Sequence, residues 1–257
     1  MLTTILCFAN EKGGTGKTMS ALCVGYALQQ RGLRVLWVDF DPQASLTKSF
    51  RYAPPASATI GPLLLKQVQP AAVVVQVAPA GWLIPAGPDL RTAFGAVAAK
   101  KGGTLALKEL LSHTQGFDFI LIDTPGTSDL LTVGALTAAH YVFVPMQPKS
   151  YSSDGLATIL TVVATLRDGA NPGLRIGGFF FAMHNRAARE KVDRAMQRHL
   201  ERHPLMGPHV MHTTIRRNTD LEQVVTEKAN LYEYAPNSPG ALDYTQLTGE
   251  ILARLTP

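Results

Sequence analysis

The sequence predicts an α/β fold: a mostly parallel, doubly wound sheet flanked by helices, in a single domain over residues 1–257. Three observations predict it. Short continuous apolar runs alternate with helix-period segments along the whole chain. The runs are apolar throughout, as expected of strands covered on both faces. The first run leads through a glycine-rich turn straight into a helical pattern, the start of a strand–loop–helix–strand unit.

The elements follow in order. Residues 3–8 form the first strand, and residues 17–31 the first helix. Met19, Leu22, Cys23 and Tyr26 recur at helical spacing there and are expected to face the sheet. Arg31-Gly32 ends that helix, with the glycine at the C-cap. The second strand, 35–40, follows at once. Residues 52–79 are rich in Ala, Pro and Val and show no readable period. Further strands are expected at 82–85, 117–123, 141–146, 176–183 and, more weakly, 210–215. Helices are expected at 89–99, 105–113, 130–139, 153–167, 187–203, 219–227 and 241–255. The pair Ser128-Asp129 is placed to cap the helix at 130. No internal repeat or linker interrupts the alternation, hence the single domain.

Bulk properties exclude several classes. A chain of 257 residues, 46% hydrophobic and 17% charged, can bury a full core and is not of the disordered type. Two cysteines, Cys7 and Cys23, make no disulfide framework; both fall in apolar surroundings, as in a protein of a reducing compartment. The first residues are strand-like, with no secretory leader pattern. No apolar run reaches the roughly 20 residues needed to span a bilayer, so no membrane partner is expected. The net charge of +5 favours an acidic partner.

The chemistry concentrates after the first strand. Glu11-Lys12-Gly13-Gly14-Thr15-Gly16-Lys17-Thr18 leaves a strand and opens a helix, the context a phosphate-binding loop requires. Gly13, Gly14 and Gly16 let the backbone approach phosphate oxygens, and the helix N-terminus adds partial positive charge. Lys17 can reach the β- and γ-phosphates, and the Thr18 hydroxyl can ligate Mg²⁺. The nucleotide-contacting segment is therefore Gly13, Gly14, Thr15, Gly16, Lys17, Thr18 and Met19, with ATP and Mg²⁺ as ligands. Glu11 stands where the ordinary G-x-x-x-x-G-K-[ST] template has glycine. Asp39 and Asp41 end the second strand and Asp123 ends another. Ligands of an open parallel sheet bind beyond the carboxyl ends of its strands, so all three carboxylates can converge on the phosphates. Asp123 reads as a metal-holding residue, and Asp39 and Asp41 as candidates to support the metal shell and place the attacking water.

With these pieces, the chain resembles the ParA/MinD family of deviant Walker ATPases, and within it the ParA partition ATPases. The matching stretches are K-G-G-T-G-K-T at 12–18, V-D-F-D-P-Q-A-S-L-T at 38–47 and F-I-L-I-D-T-P-G at 119–126. V-P-M-Q-P at 144–148 and Y-E-Y-A-P-N-S-P-G-A at 232–241 resemble it too. The family usually has two prolines after the Walker-B aspartate; here Pro125 is followed by Gly126. The resemblance implies a deviant P-loop fold in which Lys12 reaches the partner subunit's phosphates, Asp41 is needed for hydrolysis, and Asp123 is the Walker-B aspartate. It also places Asn185 and Pro236 near adenine-contacting segments. It implies an ATP-dependent homodimer that binds double-stranded DNA without sequence preference and releases it after hydrolysis. A ParB-like or other partner protein stimulates that hydrolysis, in the cytoplasm and on the nucleoid.

Between Arg186 and Arg217, eight arginines and lysines face only Glu190, Asp193 and Glu201. Arg194, Arg198 and Arg202 stand at successive i,i+4 positions on the expected helix. Such a stripe suits contact with a phosphate backbone. Arg189, Arg194, Arg216 and Arg217 are the candidate DNA contacts. The alternatives are a positioning ATPase for a protein cargo, a MinD-like membrane-surface regulator, and a metabolic enzyme on the same scaffold. The membrane reading calls for a basic amphipathic C-terminal helix, whereas the last 14 residues hold one Arg against one Glu.

Overall fold

The computed structural model describes residues 3–127, 129–147, 153–183, 198 and 200–255. Seven strands share one sheet: β1 (Thr4–Phe8), β2 (Val35–Asp39), β3 (Val75–Ala78), β4 (Gly81–Ile84), β5 (Phe119–Asp123), β6 (Tyr141–Met146) and β7 (Arg175–Phe181). Their order is β3-β4-β2-β5-β1-β6-β7. Every neighbouring pair is parallel except β3 with β4, an antiparallel edge hairpin.

Alternation along each strand sends successive side chains to opposite faces, and both faces are covered. Cys7, Leu36, Val38, Ile120, Ile122 and Val144 pack on one side. Leu6, Phe8, Val35, Trp37, Leu121 and Phe143 pack on the other. The first side meets α3 (Ile60–Leu64), α4 (Leu90–Ala98), α5 (Ala106–Ser112), α6 (Leu130–Ala138) and α7 (Ser153–Arg167). The second meets α1 (Lys17–Gln29), α8 (Thr219–Thr226), α9 (Leu231–Tyr234) and α10 (Pro239–Leu255). A short helix, α2 (Ser45–Lys48), follows β2.

The stripe expected on α1 is wider than its sequence suggests. Residues Ser20 to Leu28 are all buried, because α10 covers the side that the sheet does not. The Tyr244 hydroxyl of α10 stands 3.3 Å from Ser20 Oγ of α1. Gly32 closes α1 as expected, in the left-handed region at φ 77°. Among the described residues the expected strand at 210–215 forms one isolated bridge, between Val210 and Phe179, with the Met211 and Ile215 N–H groups donating to the Phe179 and Phe181 carbonyls at 2.8 Å. The reason is competition for donors: Glu250 accepts the His212 and Thr213 backbone N–H groups, both at 2.9 Å. Residues 52–79, unreadable in sequence, contain α3 and β3; each is too short to display a period. The expected helix at 187–203 lies largely outside the described residues.

Candidate functional site

Strand register assembles the site. Phe8, Asp123 and Asp39 stand side by side on β1, β5 and β2, each the last residue of its strand. The loop that follows Phe8 therefore passes directly over two carboxylates. Strand order reverses at β1, the position where open α/β sheets bind ligands.

Gly14 (φ 72°) and Gly16 (φ 94°) hold left-handed conformations that a side chain would oppose, which turns the loop tightly into the N-terminus of α1. Lys17 is buried, and its Nζ donates to the Lys12 carbonyl at 3.0 Å. The Thr15 hydroxyl donates to the same carbonyl at 3.3 Å. Asn10 pins the loop at its base: its side-chain oxygen accepts the Lys12 N–H at 3.0 Å, and its Nδ2 donates to Pro145 O on β6 at 2.7 Å. From the end of β6, Gln147 Nε2 donates to the Gly14 carbonyl. Asn10 and Gln147 are site residues the sequence reading did not single out. Both act through partners more than 130 residues away, which local pattern does not reveal.

The two strand-end carboxylates are fully buried yet differently served. Asp39 Oδ2 accepts both the N–H and the hydroxyl of Thr47 at 2.7 Å, and its Oδ1 accepts the Asp41 N–H at 3.2 Å. The Thr47 hydroxyl in turn accepts the Ala86 N–H at 3.0 Å. Asp39 thus anchors the loop that carries Asp41, with both of its oxygens engaged by the protein itself. Burial pushes its pKa from 3.8 up to about 6, against the pull of those hydrogen bonds. Asp123 has no hydrogen-bond partner for either oxygen among the described residues. Burial and then the neighbouring Asp39 hold its carboxyl well above the usual range, with Thr18 and Lys17 acting in the other direction. The Lys17 ammonium is lowered by burial and supported by Asp123 and Asp41. A buried carboxylate with two orphaned oxygens beside a hydroxyl and an ammonium fits a hydrated cation.

The loop after β5 packs against the end of β1 and the 12–18 loop. The Thr124 hydroxyl donates to Phe8 O at 2.8 Å. A Cβ on Gly126 would lie 2.9 Å from Gly13 Cα and 3.0 Å from Gly13 N, backbone atoms with little room to yield. Asp129 caps α6, accepting the Leu131 and Thr132 N–H groups at 3.1 and 3.3 Å, as its sequence position suggests. The Arg91 guanidinium at the start of α4 donates to the same carboxylate at 2.6 Å.

The remaining expected residues are dispersed. Met19 lies half-buried on α1, its sulfur 3.5 Å from Cys23 Sγ. Pro236 occupies an exposed turn between α9 and α10. Asn185, Arg189 and Arg194 lie outside the described residues. Arg217 is exposed and reaches Glu222 at 3.4 Å. Arg216 is clamped by Asp243, which accepts from its backbone N–H at 2.9 Å and its Nη2 at 2.6 Å. This pairing fastens Arg216, one of the candidate DNA contacts, to α10.

The orphaned Asp123 gives one expected result. Asp123→Asn raises the stability of the nucleotide-free protein at pH 8 by about 1–3 kcal/mol, because it removes a carboxyl whose ionisation burial and the neighbouring Asp39 oppose. A carboxyl whose folded pKa is raised stabilises the fold below its unfolded pKa, and that contribution is lost as pH rises through the folded value. The wild type therefore loses stability as pH climbs from about 4 past 6, and the variant shows a shallower loss. Urea unfolding at several pH values measures both, and a variant less stable than wild type at pH 8 contradicts the assignment.

Comparison with known proteins agrees with this geometry. Residues 3–176 match the AAA domain family AAA_31. The chain is 35% identical to the chromosome-partitioning ATPase Soj of Thermus thermophilus over 250 residues, covering 97% of this chain and 96% of that one. It is 30% identical to the chromosome partitioning protein ParA of Caulobacter vibrioides, covering 97% and 94%. Among solved structures it resembles cobyrinic acid a,c-diamide synthase from Mycobacterium smegmatis with bound ADP and magnesium, at a TM-score of 0.83 and 30% identity, covering 98% and 94%.

Proposed function

Because this chain belongs to the AAA-domain family of Soj- and ParA-type partition ATPases, we propose that one domain, residues 1–257, binds Mg-ATP at the 12–18 loop and couples its hydrolysis to DNA attachment. ATP hydrolysis is the activity of the family. The observation that supports the site assignment is the in-register alignment of Phe8, Asp123 and Asp39, which puts two buried carboxylates under the loop that carries Lys17. The M. smegmatis relative, with its ADP and magnesium, supports the choice of ligands.

In this reading the backbone N–H groups of Gly13 to Thr18 cradle the phosphates, and Lys17 leaves the Lys12 carbonyl to neutralise the β- and γ-oxygens. Thr18 and Asp123 would hold Mg²⁺, whose bound charge stabilises the negative charge of the transferring phosphoryl group. Among the described residues no group of three His, Cys, Asp or Glu could hold a metal alone, in keeping with an ion that retains water and phosphate ligands. Asp41, positioned through Asp39, orients the attacking water. Lys12 crosses to the phosphates of a second copy, so that ATP draws two protomers together. Arg189, Arg194 and Arg217 then face the DNA backbone, and a stimulating partner protein ends the state by hastening hydrolysis. Among the described residues no helix is long and apolar enough to cross a membrane; association with the nucleoid follows from the DNA-binding reading.

A DNA-binding titration with ADP, ATP and a non-hydrolysable analogue tests the proposal. Binding is expected only with ATP or the analogue, and without sequence preference. Arg189→Glu with Arg217→Glu lowers the salt slope by about 1 for each phosphate no longer neutralised, at unchanged ATP turnover. Arg216 is left intact in this test, since charge reversal beside Asp243 would unseat α10. Equal DNA binding with ADP and ATP refutes the cycle.

A further inference from the structure

A groove of about 850 Å³ opens on the flank of the sheet between α3, the end of α4, and α5. Val68, Val97, Leu110 and Phe117 are among its apolar lining, half-buried against the core and still reachable from outside. Lys66, Lys100 and Lys101 stand exposed around it, with His113 beside them, and Glu109 is the only carboxylate. None of the three lysines pairs with an acid among the described residues. Two backbone features fix them there. Lys66 holds φ 58°, the left-handed turn that ends α3, a position where glycine would be less strained. The turn after Lys101 is pressed against α4 so closely that a side chain on Gly103 would strike the Val97 carbonyl.

We propose that this groove docks a short, acidic, amphipathic segment of a partner protein. Apolar side chains of one helical turn would fill the floor, and carboxylates on its flanks would meet the three lysines. An unneutralised cationic rim selects the sign of that partner, and it favours a groove-bound segment over a flat apolar contact. The docking site is separate from the nucleotide chemistry. Phe117 precedes β5, at the end of that strand opposite Asp123. The two places share one element, α4: Arg91 in its first turn binds the Asp129 cap, and Val97 in its last turn lines the groove. A partner held there stays attached whether or not nucleotide is bound, as a cargo tether needs, and the site stands even if the DNA-binding reading fails.

The test uses the full chain and a short labelled peptide with Leu and Phe at i, i+3, i+4 and i+7 and Glu between them, followed by fluorescence anisotropy. Saturable binding is expected, with and without ATP. Lys66→Glu, Lys100→Glu and Lys101→Glu together should weaken it about tenfold or more while leaving ATP turnover unchanged. These exposed side chains carry no packing, so the variant folds, and unchanged turnover verifies that. A photo-crosslink from the peptide should map to residues 97–117 in the wild type. The proposal is overturned by no saturation up to about 1 mM peptide. It is equally overturned by equal affinity for a peptide with Lys in place of Glu, by undiminished binding to the triple variant, or by phosphatidylglycerol vesicles outcompeting the peptide.

Discussion

Lys17→Ala removes saturable ATP binding at ordinary concentrations, a loss of about 30- to 4,000-fold in affinity. The ammonium is buried, with its hydrogen bond to the Lys12 carbonyl made inside the loop itself. Nucleotide takes over a cation already stripped of water, so its charge acts at full strength on the phosphate oxygens. Removing one partner of a buried, hydrogen-bonded charge pair costs about 2–5 kcal/mol, which sets that range. The substitution also leaves Asp123 and Asp41 without their supporting cation in the bound state. Titration calorimetry with ATP and magnesium measures the effect. Affinity within a few-fold of wild type would remove the 12–18 loop as the phosphate site, and with it the functional reading.

Asp41→Ala separates binding from chemistry. It should leave ATP affinity within a few-fold and lower turnover by about 10²–10⁴, the range for a lost acid–base or water-positioning group. The structural basis is the different surroundings of Asp39, which ends β2, and Asp41, in the loop that follows. Asp39 is buried and spends both oxygens on Thr47 and the Asp41 backbone. Asp41 is half-buried, its carboxylate accepts the Gln43 N–H at 2.9 Å, and it lies near enough to Lys17 to influence its charge. One carboxylate builds the loop and the other is presented by it. In the proposed cycle this variant accumulates as an ATP-bound dimer on DNA. Steady-state turnover measured beside nucleotide affinity distinguishes the outcomes: unchanged turnover rejects the role of Asp41, and a parallel loss of affinity makes it part of the binding shell.

The order of strands and helices was legible because it is written in local pattern. A strand buried on both faces must be apolar throughout, and a loop that wraps phosphate must be rich in glycine. Both requirements fall on neighbours in the chain, as at β1 and the 12–18 turn. Where the pattern was short the reading failed: β3 has four residues, and its hairpin with β4 passed unseen. The expected strand at 210–215 failed for another reason. Its residues have strand character, yet Glu250 on α10 claims two of their donors.

The sequence by itself determined the parallel α/β class, the glycine-rich turn after β1 and the aspartates at or just beyond the ends of β2 and β5, since each is a property of residues a few positions apart. Only the tertiary structure decided which carboxylate the protein itself engages. Asp39 and Asp123 look alike in sequence, each closing an apolar strand. Thr47 reaches one of them, while neither oxygen of the other has a hydrogen-bond partner among the described residues. The same holds for Arg216 and Arg217, adjacent in the chain and opposite in employment, because α10 brings Asp243 to the first alone. Charge and hydrogen bonding act through space over a few ångströms, and the chain's folding sets those distances between residues far apart in sequence.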